Sequence, residues 1–311
     1  MAVGSAALKQ GPRSSDVVRK QLAGRRVDAR GLVFQILLLL ALLISLLFLV
    51  VLLYEVVQGG ISVFTDRGAE FLTARLSVVT AATAGVGQAI MGSLYMALFV
   101  VLLAFPLGIG AAVYVEEYAK DTRFNRFINV NIRNLAGVPA IVYGILGLTI
   151  FVKLMSIGPV VLAGGLTLAV LVLPIVIITS AEALRAVPQS IREAGYGVGA
   201  TKWEVIRSHV LPSAAPGILT GTILSMSRAI GETAPLLIVG ATTGFLATSG
   251  GFWEQLTGRY TTLPTVIFRW SSVPQEDFRA LTSAAIVVLL AMTLTANAVA
   301  ILLRNRYERK W

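Results

Sequence analysis

The stretch LVFQILLLLALLISLLFLVVLLY, Leu32 to Tyr54, carries no charge, and only Gln35 and Ser45 interrupt its apolar run before Tyr54. A helix needs about 20 mostly apolar residues to cross the ~30 Å hydrocarbon layer of a bilayer, and this run is long enough. Backbone groups in that layer have no water to bond, so they must be satisfied within the segment; a helix achieves this, and the alternating pattern of a membrane barrel is missing. The remainder of the chain repeats the theme. Of 311 residues 56% are hydrophobic and 14% charged, where a soluble domain has roughly a quarter charged. The sequence predicts an all-α membrane protein with six transmembrane helices.

A basic segment, residues 1–31, precedes the first span, residues 32–57. It is too long and polar for the leader of a cleavable signal, so the span reads as uncleaved. A polar connector, 58–84, leads to a core over residues 85–303. Span two covers Gln88 to Val115, with Pro106 as an expected kink. Span three takes the 19 uncharged residues between Arg133 and Lys153, with Pro139 inside, and Gly158-Pro159 ends it. Span four runs to about Ala181, and a charged connector, 182–216, follows. Span five covers Gly217 to Gly240. A polar loop from Thr242 to Arg279 precedes span six, Ala280 to Leu303, and a basic tail, 304–311.

The net charge of +10 is distributed unevenly. Nineteen Lys and Arg residues fall in the N-terminal segment, the 116–133 and 182–216 connectors and the tail; six fall in the alternate loops, and Arg228 lies within a span. Positive charge accumulates on the cytoplasmic side, so the N- and C-termini are expected to be cytoplasmic. Topology then accounts for most of the basic excess without nucleic acid. The chain has no cysteine, which excludes disulfides, thiolate metal sites and cysteine nucleophiles. His209 is the single histidine and cannot build a histidine metal cluster alone. Neither a catalytic nor a metal site is expected.

Two segments can carry chemistry. The first is Ser227-Arg228-Ala229-Ile230-Gly231-Glu232-Thr233-Ala234-Pro235 in span five. A charge at membrane depth costs about 3 kcal/mol on insertion scales, so it normally faces the protein interior. On one helix Arg228 and Glu232 are separated by about 6 Å and can neutralise each other. One reading is an internal ion pair with a purely structural role. The other is a guanidinium fork offered to a tetrahedral oxyanion, restrained by Glu232, with Ser227 and Thr233 as hydroxyl donors.

The second segment is the connector with Glu193-Ala194-Gly195-Tyr196-Gly197-Val198-Gly199 and, further on, Leu211-Pro212. Its small residues permit close approach of another surface, Gly199 can break a helix into a helix-turn-helix, and Pro212 is expected to end the second piece. The glycines do not form a P-loop, because no Gly-Lys-Ser/Thr follows. Hydrolysis of ATP by the usual P-loop route is therefore not expected of this chain.

This connector resembles the cytoplasmic signature of ABC importer permeases. Glu193, Ala194, Gly199, Leu211 and Pro212 match in register; Gly195 replaces an alanine, and His209 stands where an aliphatic residue is expected, which predicts weaker local packing. Residues 227–233, continued by Ala234-Pro235-Leu236-Leu237, are similar to the phosphate-specific (Pst) permeases of the A type. So are Leu263 to Phe268 and Gly137 to Gly144. The resemblance covers roughly residues 85–305 and implies a type I ABC importer permease fold in a bacterial plasma (inner) membrane. It also implies partners: a C-type permease subunit completing a heterodimer, an ATPase dimer that binds the ATP and Mg, and a soluble phosphate-binding protein outside. This chain itself would hold no cofactor. Glu193, Ala194, Gly195, Gly199, Leu211 and Pro212 would couple to the ATPase, and Arg228, Glu232, Ser227 and Thr233 would lie on the phosphate path.

Other classes remain open. A permease for sulfate or molybdate would share the fold and coupling segment. An ion-coupled secondary transporter usually shows inverted repeats, and none is visible by eye. A membrane-embedded enzyme would want a Ser/His pair or a carboxylate pair within the spans, whereas His209 lies in a connector and Glu232 is the main candidate acid at depth.

Overall fold

The computed structural model describes residues 29–241 and 252–307; the expectations placed on 1–28, 242–251 and 308–311 lie outside these residues. Among the described residues every regular element is helical. Among the described residues five helices are long and apolar enough to cross a membrane, and a sharply bent pair adds a sixth if the pair counts as one span.

Helix α1, Ala29–Arg67, is longer than the span read from the sequence. Its apolar stretch through Tyr54 is exposed throughout. Residues 58–67, read as connector, continue the helix because Gly60 and Val63 are buried there and Phe64 joins an apolar cluster. The helix stops at Gly68, whose φ of 51° favours glycine. Short α2, Ala69–Thr73, follows. It inserts fully buried Phe71 beside Trp270 and Phe278, and the Trp270 Nε1–H donates to the Ser77 carbonyl at 2.9 Å. The connector is thereby folded onto the later loop that precedes the last long helix.

Helix α3, Gly87–Tyr118, is span two. Pro106 does not break it. The preceding turn, Val100–Ala104, widens to a π turn, and the Phe105 N–H donates to the Val100 carbonyl. A proline leaves the carbonyl four residues back without its usual donor; a wider turn just before it absorbs the mismatch. Pro139 behaves differently. It separates α4, Arg123–Ala136, from α5, Ala140–Leu154, and the two helices bend by 101°. Span three is therefore shorter than expected, with Pro139 capping it rather than lying inside. α4 begins where the Thr122 hydroxyl accepts from the Asn125 N–H, an ordinary N-cap.

Helix α6, Val161–Arg185, is the most enclosed span, packing against α3, α4 and α5. It extends one turn beyond the expected end. Helix α7, Gln189–Gly197, occupies the charged connector. Helix α8, Lys202–Gly231, runs without interruption from that connector into span five. Pro212 is thus not an end. Its preceding turn, Ile206–Val210, is again a π turn, with the Leu211 N–H reaching the Ile206 carbonyl. Short α9, Ala234–Val239, closes span five and ends at Gly240, φ 110°. The loop after α9 contains α10, Phe252–Leu256, and α11, Leu263–Ser271. Helix α12, Asp277–Tyr307, is span six.

Candidate functional site

The oxyanion candidate sits where α8 breaks. Gly231 is the last helical residue, and Glu232 leaves the helix with extended backbone (φ −71°, ψ 126°). Thr233 intervenes before Pro235 starts the first turn of α9, a position where the missing N–H costs nothing. Span five is therefore not one helix from 217 to 240, and Arg228 and Glu232 do not share a continuous helical face. They meet nevertheless: Arg228 Nε donates to Glu232 Oε1 at 3.2 Å. The pair is lopsided, the Arg228 side chain being 55% exposed and Glu232 16%. No other partner for the guanidinium occurs among the described residues, so its Nη groups remain available as donors.

The two hydroxyls expected beside Arg228 are engaged elsewhere. Ser227 Oγ lies 3.0 Å from the Ile223 carbonyl and 2.5 Å from Asn297 Oδ1 on α12. Thr233 Oγ1 faces the Gly231 carbonyl at 3.5 Å. No hydrogen bond joins either to the guanidinium. The structure adds Asn297, which sequence reading passed over and which ties spans five and six beside the candidate cation. It also joins two segments singled out separately. A Cβ on Gly144 of α5 would stand 2.7 Å from Pro235 Cα, so the absence of a side chain at 144 lets the break in span five seat against span three.

The second candidate surface is built by α7 and the start of α8. Thr201 and Glu204 form a reciprocal cap, the Glu204 carboxylate accepting from the Thr201 N–H at 2.7 Å. Gly199 forms the turn between the helices with φ of 82°. Of the residues read as coupling positions, Glu193, Ala194, Gly199 and Pro212 are exposed, Leu211 is half-buried and Gly195 is buried. At Gly195 a Cβ would lie 2.7 Å from Val205 Cγ2; the departure from alanine is matched by a bulky neighbour. His209 is exposed, while Ile206 and Val210 on either side are fully buried. It does not enter the packed layer, so the weaker packing expected of it is corrected.

Residues 104–311 match the family described as "Binding-protein-dependent transport system inner membrane component". The phosphate transport system permease protein PstA of Yersinia pestis is 34% identical over 286 residues, 91% of this chain and 92% of that protein. PstA 1 of Mycobacterium tuberculosis (strain ATCC 25618 / H37Rv) is 32% identical over 261 residues, 84% and 83% of the two chains. A probable ABC transporter permease protein of Bacillus subtilis (strain 168), YqgI, is 35% identical over 174 residues, 56% of this chain and 59% of that one. Among solved structures, a chain of the bacterial alginate ABC transporter superposes with a TM-score of 0.61 at 15% identity, covering 92% of this chain and 94% of that one. A chain of the MetNI methionine ABC transporter gives 0.55 at 16% identity, covering 72% and 95%. These likenesses show the type I ABC importer permease fold. With its several apolar spans, the chain is a multi-pass membrane protein that belongs to the binding-protein-dependent transport inner membrane components, among the relatives of the PstA permeases.

Proposed function

We propose that this chain is a permease subunit of an ATP-driven importer of inorganic phosphate, with both termini on the cytoplasmic side of a bacterial inner membrane. The observation that carries the reading is its relationship to phosphate transport permeases over most of its length. A C-type permease subunit completes the passage, a binding protein delivers phosphate from outside, and a separate ATPase dimer supplies the energy. Glu193, Ala194, Gly195 and Gly199, with Leu211 and Pro212 behind them, form the docking element for that ATPase.

Arg228 is the residue proposed to meet phosphate. A guanidinium left half exposed in an otherwise apolar span suits contact with an anion or with a companion subunit better than sealed structural pairing. Glu232 offers an acceptor that holds the side chain between passages. Ser227 and Thr233, whose hydroxyls are engaged by Ile223, Asn297 and the Gly231 carbonyl, do not add to the fork. A transported ion must also leave, so binding here should be weak.

The test is phosphate uptake by the whole transporter, purified and reconstituted, with Arg228→Ala or Glu232→Ala. Assembly is expected to persist while uptake by the Arg228→Ala complex falls about tenfold to a hundredfold, the scale of one lost hydrogen bond to a charged group. Uptake at the unsubstituted rate removes Arg228 from the pathway. Sulfate or molybdate transported in place of phosphate by the same preparation favours the other oxyanion reading.

A further inference from the structure

Helix α3 ends on Glu116, Glu117 and Tyr118, and each meets a basic side chain from the segment that links α6 to α8. Arg185, the last residue of α6, contacts Glu116 with two prongs, Nη2 to Oε1 and Nε to Oε2, the latter at 3.2 Å. Arg192, on α7, gives Nη2 to Glu117 Oε1 at 2.7 Å and Nε to the same oxygen at 3.2 Å. Lys202, the first residue of α8, places Nζ 5.0 Å from the Tyr118 ring centroid. Three basic residues from three helices thus converge on three consecutive residues of one span.

Burial ranks these contacts. Arg185 is exposed, so solvent screens its pair and little holding force is expected of it. The Arg192 and Glu117 side chains are only 12% and 5% exposed. Breaking a buried pair leaves an uncompensated charge, so such a pair resists separation. Arg192 also donates to the Leu184 carbonyl at 3.0 Å and the Val187 carbonyl at 2.8 Å, at the C-terminal end of α6, where a cation is favoured. One side chain therefore bonds α3 and the end of α6 while standing on α7. Acidic residues at the C-terminal end of α3 oppose the helix dipole, so Glu116 and Glu117 do nothing for α3 alone. Their placement makes sense as anchors for arginines from elsewhere.

We propose that Arg192 and Glu117 form a joint through which a displacement of α7 is passed to α3 when an ATPase docks and closes. The inference rests on the docking reading of α7 given above. The neighbouring positions Glu193 and Ala194 are exposed, so a partner can seat on α7 without prising the pair apart. Arg192 is in this account a positioning residue; it touches neither phosphate nor ATP.

The chain contains no cysteine, so Glu117→Cys together with Arg192→Cys introduces its only thiols. In the complete reconstituted transporter this pair is expected to keep the ATPase bound and hydrolysing, while phosphate moved per ATP falls about tenfold, within the usual range of coupling between sites. A short bifunctional thiol cross-linker bridging the two positions should restore the ratio. An unchanged ratio before cross-linking, or transport blocked by the cross-link, overturns the joint. So does loss of the ATPase from this variant, because that places Arg192 at the docking contact itself. If the thiol pair does not accumulate, Arg192→Glu alone and combined with Glu117→Arg carries the test. Recovery in the exchanged pair is expected, and equal loss in both sinks the proposal. Failure of the docking reading looks different: bulky substitutions at Glu193 would then leave ATPase co-purification intact whatever happens at Arg192.

Discussion

Arg228 was conspicuous in the sequence because a cation in an apolar run has few bland explanations. Asn297 was not, although it is the one amide between Ala280 and Leu303. A polar side chain in a span becomes informative only with its partner, and that partner, Ser227, lies 70 residues away in the chain. The same gap explains why Ser227 was assigned to the fork: spacing placed it beside Arg228, whereas its hydroxyl is held by Ile223 and Asn297. Asn297→Leu removes the cross-span acceptor while keeping the bulk. It is expected to lower the stability of the purified complex by about 1 kcal/mol, the net worth of one such bond, read as a lower midpoint of thermal unfolding. Its effect on uptake should be smaller than that of Arg228→Ala. Equal loss in the two would mean that Asn297 positions the break itself.

At the scale of elements, two prolines depart from expectation. Pro212, expected to end a helix, sits inside a continuous one, as Pro106 does; each is preceded by a π turn whose closing N–H belongs to the residue just before the proline. Pro139, expected inside a span, instead marks a bend of 101°. Composition cannot separate these outcomes, because they depend on whether packing holds the flanking turns in line. Gly199 was legible because a left-handed residue between two helices needs no tertiary information. Its φ of 82° makes a β-branched replacement strained. Gly199→Val is expected to distort the α7–α8 turn at a cost of about 1–2 kcal/mol and to reduce co-purification of the ATPase, with Gly199→Asn milder because asparagine tolerates that conformation. Full ATPase recovery with Val at this position would detach the turn from docking.

For the molecule as a whole, the count of spans and the class of fold were written in hydropathy, since lipid imposes the same demand on every crossing segment. What stayed hidden were the ties between segments distant in the chain: Gly144 under Pro235, Trp270 over Ser77, Arg192 in Glu117. The proposed orientation rests on the distribution of charge and can be checked directly. With no native thiol to remove, single cysteines at Lys120 and Gln189 should react with an impermeant reagent only from the cytoplasmic face, and those at Arg75 and Arg259 only from outside. The opposite pattern would invert the proposed arrangement and with it the docking side. Before assembly, Arg228 keeps more than half of its side chain uncovered, and bilayer interior is a poor host for it, at about 3 kcal/mol. If the proposed C-type companion covers that exposed side, a copy without it bears the penalty, and the abundance of this chain in a cell should track the supply of the companion.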